Sequence, residues 1–248
     1  MNLRLNVTAI MLAGWLGSTV LAHSDIELFD HAGQVAVAPQ IAEGEFGEDG
    51  NPTYRANDPG LESDPLELVG DGRTALPGGA LVGFDLPTFT LGGSTKGLFY
   101  WDGEGSPDFV SIASPHGLKI SDTTESFSLQ ANGSHGAAGF DFALTADGSG
   151  PDPAGFLHSH LKFDLIDSVG AGVGSPAAGV YAFATTFSVT GLGDSDPVYW
   201  VLASEVDEAA HQAAIDYISR SVGLVPEPST LMLPVFALLS AMAARTRR

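Results

Sequence analysis

Residues 156–166 read Phe156-Leu157-His158-Ser159-His160-Leu161-Lys162-Phe163-Asp164-Leu165-Ile166. Leu157, Leu161, Phe163 and Leu165 fall on odd positions with Ser159, while His158, His160, Lys162 and Asp164 fall on even ones. Side chains alternate across a strand, so this spacing predicts an apolar and a polar strand face. The same pattern recurs at 180–190, where Tyr181, Phe183, Phe187 and Val189 alternate with smaller residues. Residues 197–203, with Tyr199 and Trp200, predict another strand. Upstream, 80–89, 97–101, 109–113 and 117–120 are short apolar runs bounded by Gly, Pro or Asp, which also predicts strands. So do 126–131 and 138–146, where Phe140, Phe142 and Leu144 share a face. Residues 39–80 are rich in Gly, Pro, Asp, Glu and Asn and predict long loops or short edge strands.

Residues 205–222 break the pattern. They are alanine-rich, acidic at the start and carry Arg220 near the end, which predicts a helix. Val206, Ala210, Ala213, Tyr217 and Ile218 would form its buried stripe. The expected fold is mainly β: a β-sandwich or jelly-roll-like domain over 23–204, closed by the helix at 205–222.

The formal net charge of the 248-residue chain is −20. Arg4, Arg245, Arg247 and Arg248 lie near the ends, leaving Arg55, Arg73, Lys96, Lys119, Lys162 and Arg220 as the cations between. Nucleic-acid binding needs clustered cations, so the composition argues against it. There is no cysteine, which excludes disulfides, thiolate metal sites and cysteine nucleophiles. No Gly-x-Ser-x-Gly, His-Glu-x-x-His, phosphate-binding loop or dinucleotide fingerprint is present. Asp147, Asp152, Asp194 and Asp196 sit in Gly/Pro segments without the spacing of a calcium loop and read as solvated acids.

Seven histidines remain as the chemistry-bearing residues. Any transition-metal site here must use histidine and carboxylate. His158 and His160 share a strand face and can converge on one ion, Zn²⁺ or Cu²⁺. His116, in Ser-Pro-His-Gly, and His135, in Gly-Ser-His-Gly, occupy loop-like settings from which a further ligand can come. His23 and Asp25 form a second pair with strand spacing.

Both ends look like processing signals. Residues 1–22 combine Arg4, an apolar stretch from Val7 to Leu16, and Val20 and Ala22 at −3 and −1 of a cleavage site before His23. At the other end, 225–248 runs Val225-Pro226-Glu227-Pro228-Ser229, then a 14-residue apolar segment at 231–244, then Arg245-Thr246-Arg247-Arg248. That segment is short for a bilayer core about 30 Å thick, and the arginines would stay cytoplasmic.

This tail resembles the PEP-CTERM sorting signal. The resemblance implies an exosortase-type membrane peptidase acting near Pro226-Glu227-Pro228 in a Gram-negative bacterium. A transient membrane anchor would then yield a secreted, surface-attached or exopolysaccharide-bound product. In the middle, His158-Ser159-His160 followed by Gly179-Val180-Tyr181-Ala182-Phe183 resembles surface-anchored domains of the choice-of-anchor type, which implies metal handling at the surface. The leading expectation is a non-enzymatic exported protein that binds a divalent metal through His158 and His160. One alternative is a carbohydrate- or matrix-binding module using Tyr100, Trp101, Tyr199 and Trp200 as stacking platforms. The other is a copper-dependent oxidase using His23 as its mature amino terminus.

Overall fold

The computed structural model describes residues 25–121, 128–131, 142–145, 147–148 and 150–224. In chain order its main elements are β1 (Ile26–His31), β2 (Gln34–Ala38), β3 (Ile41–Glu45), β4 (Arg55–Ala56), β5 (Leu61–Ser63), α1 (Pro65–Gly70), β6 (Leu81–Asp85), β7 (Phe89–Leu91) and β8 (Ser94–Lys96). They continue with β9 (Phe99–Trp101), β10 (Gly117–Ser121), β11 (Ser128–Ala131), β12 (Phe142–Ala143), β13 (Leu157–Ser159), β14 (Lys162–Ile166), β15 (Gly179–Val189), β16 (Val198–Ser204) and α2 (Glu208–Ser221). The protein is mainly β, with a C-terminal helix.

The central sheet runs β12-β6-β15-β16-β3, and β9 also pairs with β15. Tyr181, Phe183, Phe187 and Val189 of β15 enter one core with Trp200 and Leu202 of β16. Val180, Ala182 and Ala184 enter a second core with Val201, Phe99, Trp101 and the α2 residues Ala214 and Ile218. Both faces of β15 are therefore covered over Val180–Thr185. Its large residues fill the space toward the other sheets, and its small ones admit the helix side. Trp200 stacks on Phe183 with 5.7 Å between centroids and an interplanar angle of 6°. Its indole N–H donates to Thr185 Oγ1 at 2.9 Å, which satisfies the one polar atom of a wholly buried ring.

Two smaller sheets pack on the first core. One has the order β13-β5-β1-β2, the other β11-β10-β14-β4. The stretch 156–166 is thus two strands in two sheets, not one continuous strand. The odd-numbered residues keep their expected burial: Leu161, Phe163 and Leu165 are fully buried. The even ones separate. Asp164 lies buried within the polar face, between Arg55 and Lys119, its register neighbours on β4 and β10.

Other expectations are corrected: within 39–80, read as long loops or short edge strands, β5 is interior between β13 and β1, and α1 is a helix. β3 and β4 are the short edge strands expected there, β3 as the parallel partner of β16 at the end of the central sheet. Gly44 makes that placement possible, since a Cβ there would lie 2.5 Å from the Asp58 carbonyl oxygen. The short helix α1 follows Asp64, whose side chain accepts from the Leu66 N–H, with Pro65 in its first turn. Residues 109–113 form turns. The Asp108 carboxylate accepts from the N–H groups of Val110 and Ser111, and Phe109 is buried as an anchor. The C-terminal helix begins after Asp207, whose side chain accepts from the Ala210 N–H. Its buried stripe includes His211 and Ala214 along with the expected Ile218, while Val206, Ala210, Ala213 and Tyr217 are partly buried.

Candidate metal centre

The strand row β13-β5-β1 builds the site. His158 pairs with Glu62 across β13 and β5, and Glu62 with Glu27 across β5 and β1. Ser159 pairs with Leu61, which pairs with Ile26. Residues directly opposite, and residues two apart on one strand, share a face. One face of this sheet therefore presents Leu157, Leu61, Ser63, Ile26 and Leu28 to the core, all buried. The other presents His158, His160, Gly60, Glu62, Asp25 and Glu27. Apolar burial on the inner face fixes the register, and the register sets the polar grid outside.

Within that grid three side chains converge. Asp25, His158 and His160 each bring a ligating atom within 4.8 Å of the others. The two imidazole Nε2 atoms are 3.0 Å apart. Asp25 Oδ2 lies 3.6 Å from His158 Nε2. Two metal–nitrogen bonds of about 2.0–2.1 Å, meeting at a right or tetrahedral angle, separate their nitrogens by roughly 3 Å. The pair already stands at ligating separation.

The remaining polar atoms orient these ligands. Asp25 Oδ1 accepts from the Gly60 N–H at 2.8 Å, which leaves Oδ2 toward His158. His160 Nδ1 faces Asp58 Oδ1 and the Asn57 carbonyl oxygen, each at 3.0 Å. His158 Nδ1 faces Glu62 Oε1 at 3.8 Å. Each imidazole thus turns Nε2 inward and Nδ1 toward a carboxylate. A carboxylate behind a ligating imidazole fixes the ring's orientation and tautomer and raises its basicity.

The His158 side chain is 44% exposed and that of Asp25 is 17% exposed, so an ion has a solvent path to a partly sheltered oxygen. Beside the cluster lies an open depression of about 370 Å³ lined by Asp25, Glu27, Ala38, Pro39 and Glu62. Glu27 is paired with Arg73. Burial pushes the Glu62 carboxyl above its ordinary value, the Asp25 charge adds to the rise, and His158 partly offsets it. A bound cation would relieve that crowding of negative charge.

Gly60 sits in the middle of the grid. A Cβ there would lie 3.0 Å from Asp25 Oδ1 and 3.1 Å from the His160 ring. Gly60→Ala keeps every ligand but must move Asp25 or His160. The expected result is Zn²⁺ affinity lower by about 10- to 100-fold, the cost typical of disturbing the groups that orient metal ligands. Isothermal titration checks it, and unchanged affinity would show that the notch is irrelevant to binding.

The structure brings His158, His160 and Asp25 together, although the sequence offered Asp25 as the partner of His23 in a second pair. His116 does not join them. Its Nε2 accepts from the Ala177 N–H at 3.0 Å, and its ring stacks on Tyr181. Burial holds its pKa below the ordinary value, and its hydrogen bond from Ala177 ties a loop to the core. His23, His135, the cleavage site at Ala22, and Pro226, Glu227 and Pro228 lie outside the described residues. Asp58 and Glu62 were missed because 39–80 read as long loops or short edge strands with no register to align them with the histidines. The signal was the alternation of Gly60 and Glu62 with Leu61 and Ser63, too short to stand out.

The proposed sugar-stacking rings are a correction. Trp101, Trp200 and Tyr100 are buried and Tyr199 is partly so, which removes them as open platforms. Among the described residues no helix is long and apolar enough to cross a membrane. The apolar run at 231–244 lies outside them. Comparison with protein-family models, with curated proteins and with solved structures found no match to this chain.

Proposed function

We propose that this protein binds a divalent transition ion, Zn²⁺ or Cu²⁺, through Asp25, His158 and His160, and acts as a non-enzymatic exported protein. One observation carries the metal reading: two inward Nε2 atoms 3.0 Å apart, each ring backed by a carboxylate at Nδ1. The two sequence ends carry the export reading. A leader ending at Ala22 and a Pro226-Glu227-Pro228 tail place the domain at the cell surface, in the matrix or free outside the cell, after exosortase-type processing. The two cores on either side of β15 support a layered, sandwich-like arrangement. Titration of the 23–224 polypeptide with Zn²⁺ and Cu²⁺ tests the site. The expected result is that one equivalent of ion per chain is lost when His158 and His160 are replaced. A wild-type protein that binds neither ion removes the proposal.

A second reading rests on chain reach. Asp25 belongs to the cluster, and two residues span at most about 7 Å of backbone. Cleavage between Ala22 and His23 would put a free amine and an imidazole within reach of the same ion, as a copper oxidase using His23 requires. Intact mass of the exported product reports both cuts. A product that starts elsewhere than His23 ends this reading, and one that retains 229–248 ends the sorting claim.

A further inference from the structure

We propose that Glu45, Glu208 and His211 form a second divalent-cation site, which fastens the C-terminal helix to the central sheet. The argument begins with the chain path. β3 runs parallel to β16 and ends at Glu45, opposite Ala203. β16 ends at Ser204, and after three residues α2 starts at Glu208, so the helix folds back beside the end of β3. His211 lies one turn into that helix, on the same side as Glu208 three residues before it. The result is that Glu45, Glu208 and His211 bring ligating atoms within 4.8 Å of one another.

His211 is 3% exposed, although most of its helical neighbours on the buried stripe are apolar. Its Nε2 lies 3.0 Å from the Val201 carbonyl oxygen. A carbonyl can only accept, so Nε2 carries the hydrogen and Nδ1 is the nitrogen left with a lone pair. A ligating imidazole held by its other N–H on a backbone carbonyl is a recurrent arrangement in metal sites. Glu208 is exposed and Glu45 partly buried, so an ion would enter from solvent and meet the buried nitrogen last.

Two carboxylates outweigh the partial positive charge of about half a unit at the helix N-terminus. One imidazole with two carboxylates suits ions of intermediate softness, Zn²⁺ or Mn²⁺. The site is separate from the Asp25 cluster: the two share no residue, and they stand on different sheets.

The test uses the full chain carrying His158→Ala and His160→Ala, which removes both imidazoles of the first centre and leaves no free amine at His23. Zn²⁺ alone is the probe. One equivalent should remain, and adding Glu208→Gln should weaken it at least about 10-fold. Glu208 is exposed and its replacement keeps the helix N-cap, so folding is not at stake. Zn²⁺ should also raise the melting temperature of the background protein, and that rise should vanish with Glu208→Gln. His211→Gln gives the same loss if it folds, and Glu45→Gln supplies the independent variant if it does not. A background protein that binds no Zn²⁺, or whose binding ignores both glutamate changes, overturns the proposal. Neither outcome bears on whether wild type needs His158 and His160 for its other equivalent.

Discussion

Replacing His158 and His160 together with alanine is expected to weaken Zn²⁺ binding at the Asp25 centre by at least about 1000-fold. Disturbing only the groups behind metal ligands costs roughly 10- to 100-fold. Removing two of three direct ligands must exceed that, and each factor of ten corresponds to about 1.4 kcal/mol. The fold should survive. The two side chains are 44% and 35% exposed, and they stand on the outer face while Leu157 and Leu161 hold the inner one. Surface changes of this kind typically shift stability by no more than about 0.5 kcal/mol. His116→Ala is the matched control: it removes an imidazole whose Nε2 is already engaged by Ala177, so the ion affinity should not move. In wild type the affinity should fall on acidification, because ligating nitrogens must be unprotonated. A double variant that keeps every wild-type Zn²⁺ equivalent at wild-type affinity would end the assignment.

The second large effect concerns stability. Asp164→Ala is expected to cost about 3 kcal/mol in urea unfolding. The Asp164 carboxylate accepts from Arg55 Nε at 2.6 Å and Nη2 at 2.8 Å, and Lys119 Nζ lies 3.8 Å away. The side chain of Asp164 is 4% exposed, those of Arg55 and Lys119 17% and 20%. Removing the anion leaves two cations facing each other across three strands with little water. Breaking such a pair costs about 3–5 kcal/mol, and the partial exposure of the cations favours the lower figure. Replacing all three by apolar residues of similar volume should recover most of the loss. A cost below about 0.5 kcal/mol for Asp164→Ala would mean the row contributes shape only.

These two predictions draw on the same eleven residues, 156–166, read in different ways. Alternation put the histidines on one face and Leu161, Phe163 and Leu165 on the other, and those three apolar residues are buried. It set Asp164 on the polar face, where Arg55 and Lys119 bury it. Period two reports which side of a strand a residue is on, and not what covers that side. A break after Ser159 sends β14 into another sheet, where the long side chains of Arg55 and Lys119 cover Asp164. The same limit explains the aromatic rings. Tyr100, Trp101 and Trp200 looked like a surface platform until a helix on one face and two sheets on the other covered them.

What the sequence by itself determined is local: strand alternation, the helix with its acidic start, the absence of thiol chemistry, the charge, and the Pro226-Glu227-Pro228 tail. These follow from backbone geometry and composition, which need no distant partner. The tertiary structure decided everything that needed residues far apart in the chain to meet. It brought Asp25 to His158 and His160, set Asp58 and Glu62 behind the two rings, sent His116 elsewhere, and laid His211 beside Glu45. Strand register across β13, β5 and β1 is a property of packing, since only burial of Ile26, Leu61 and Leu157 together selects it.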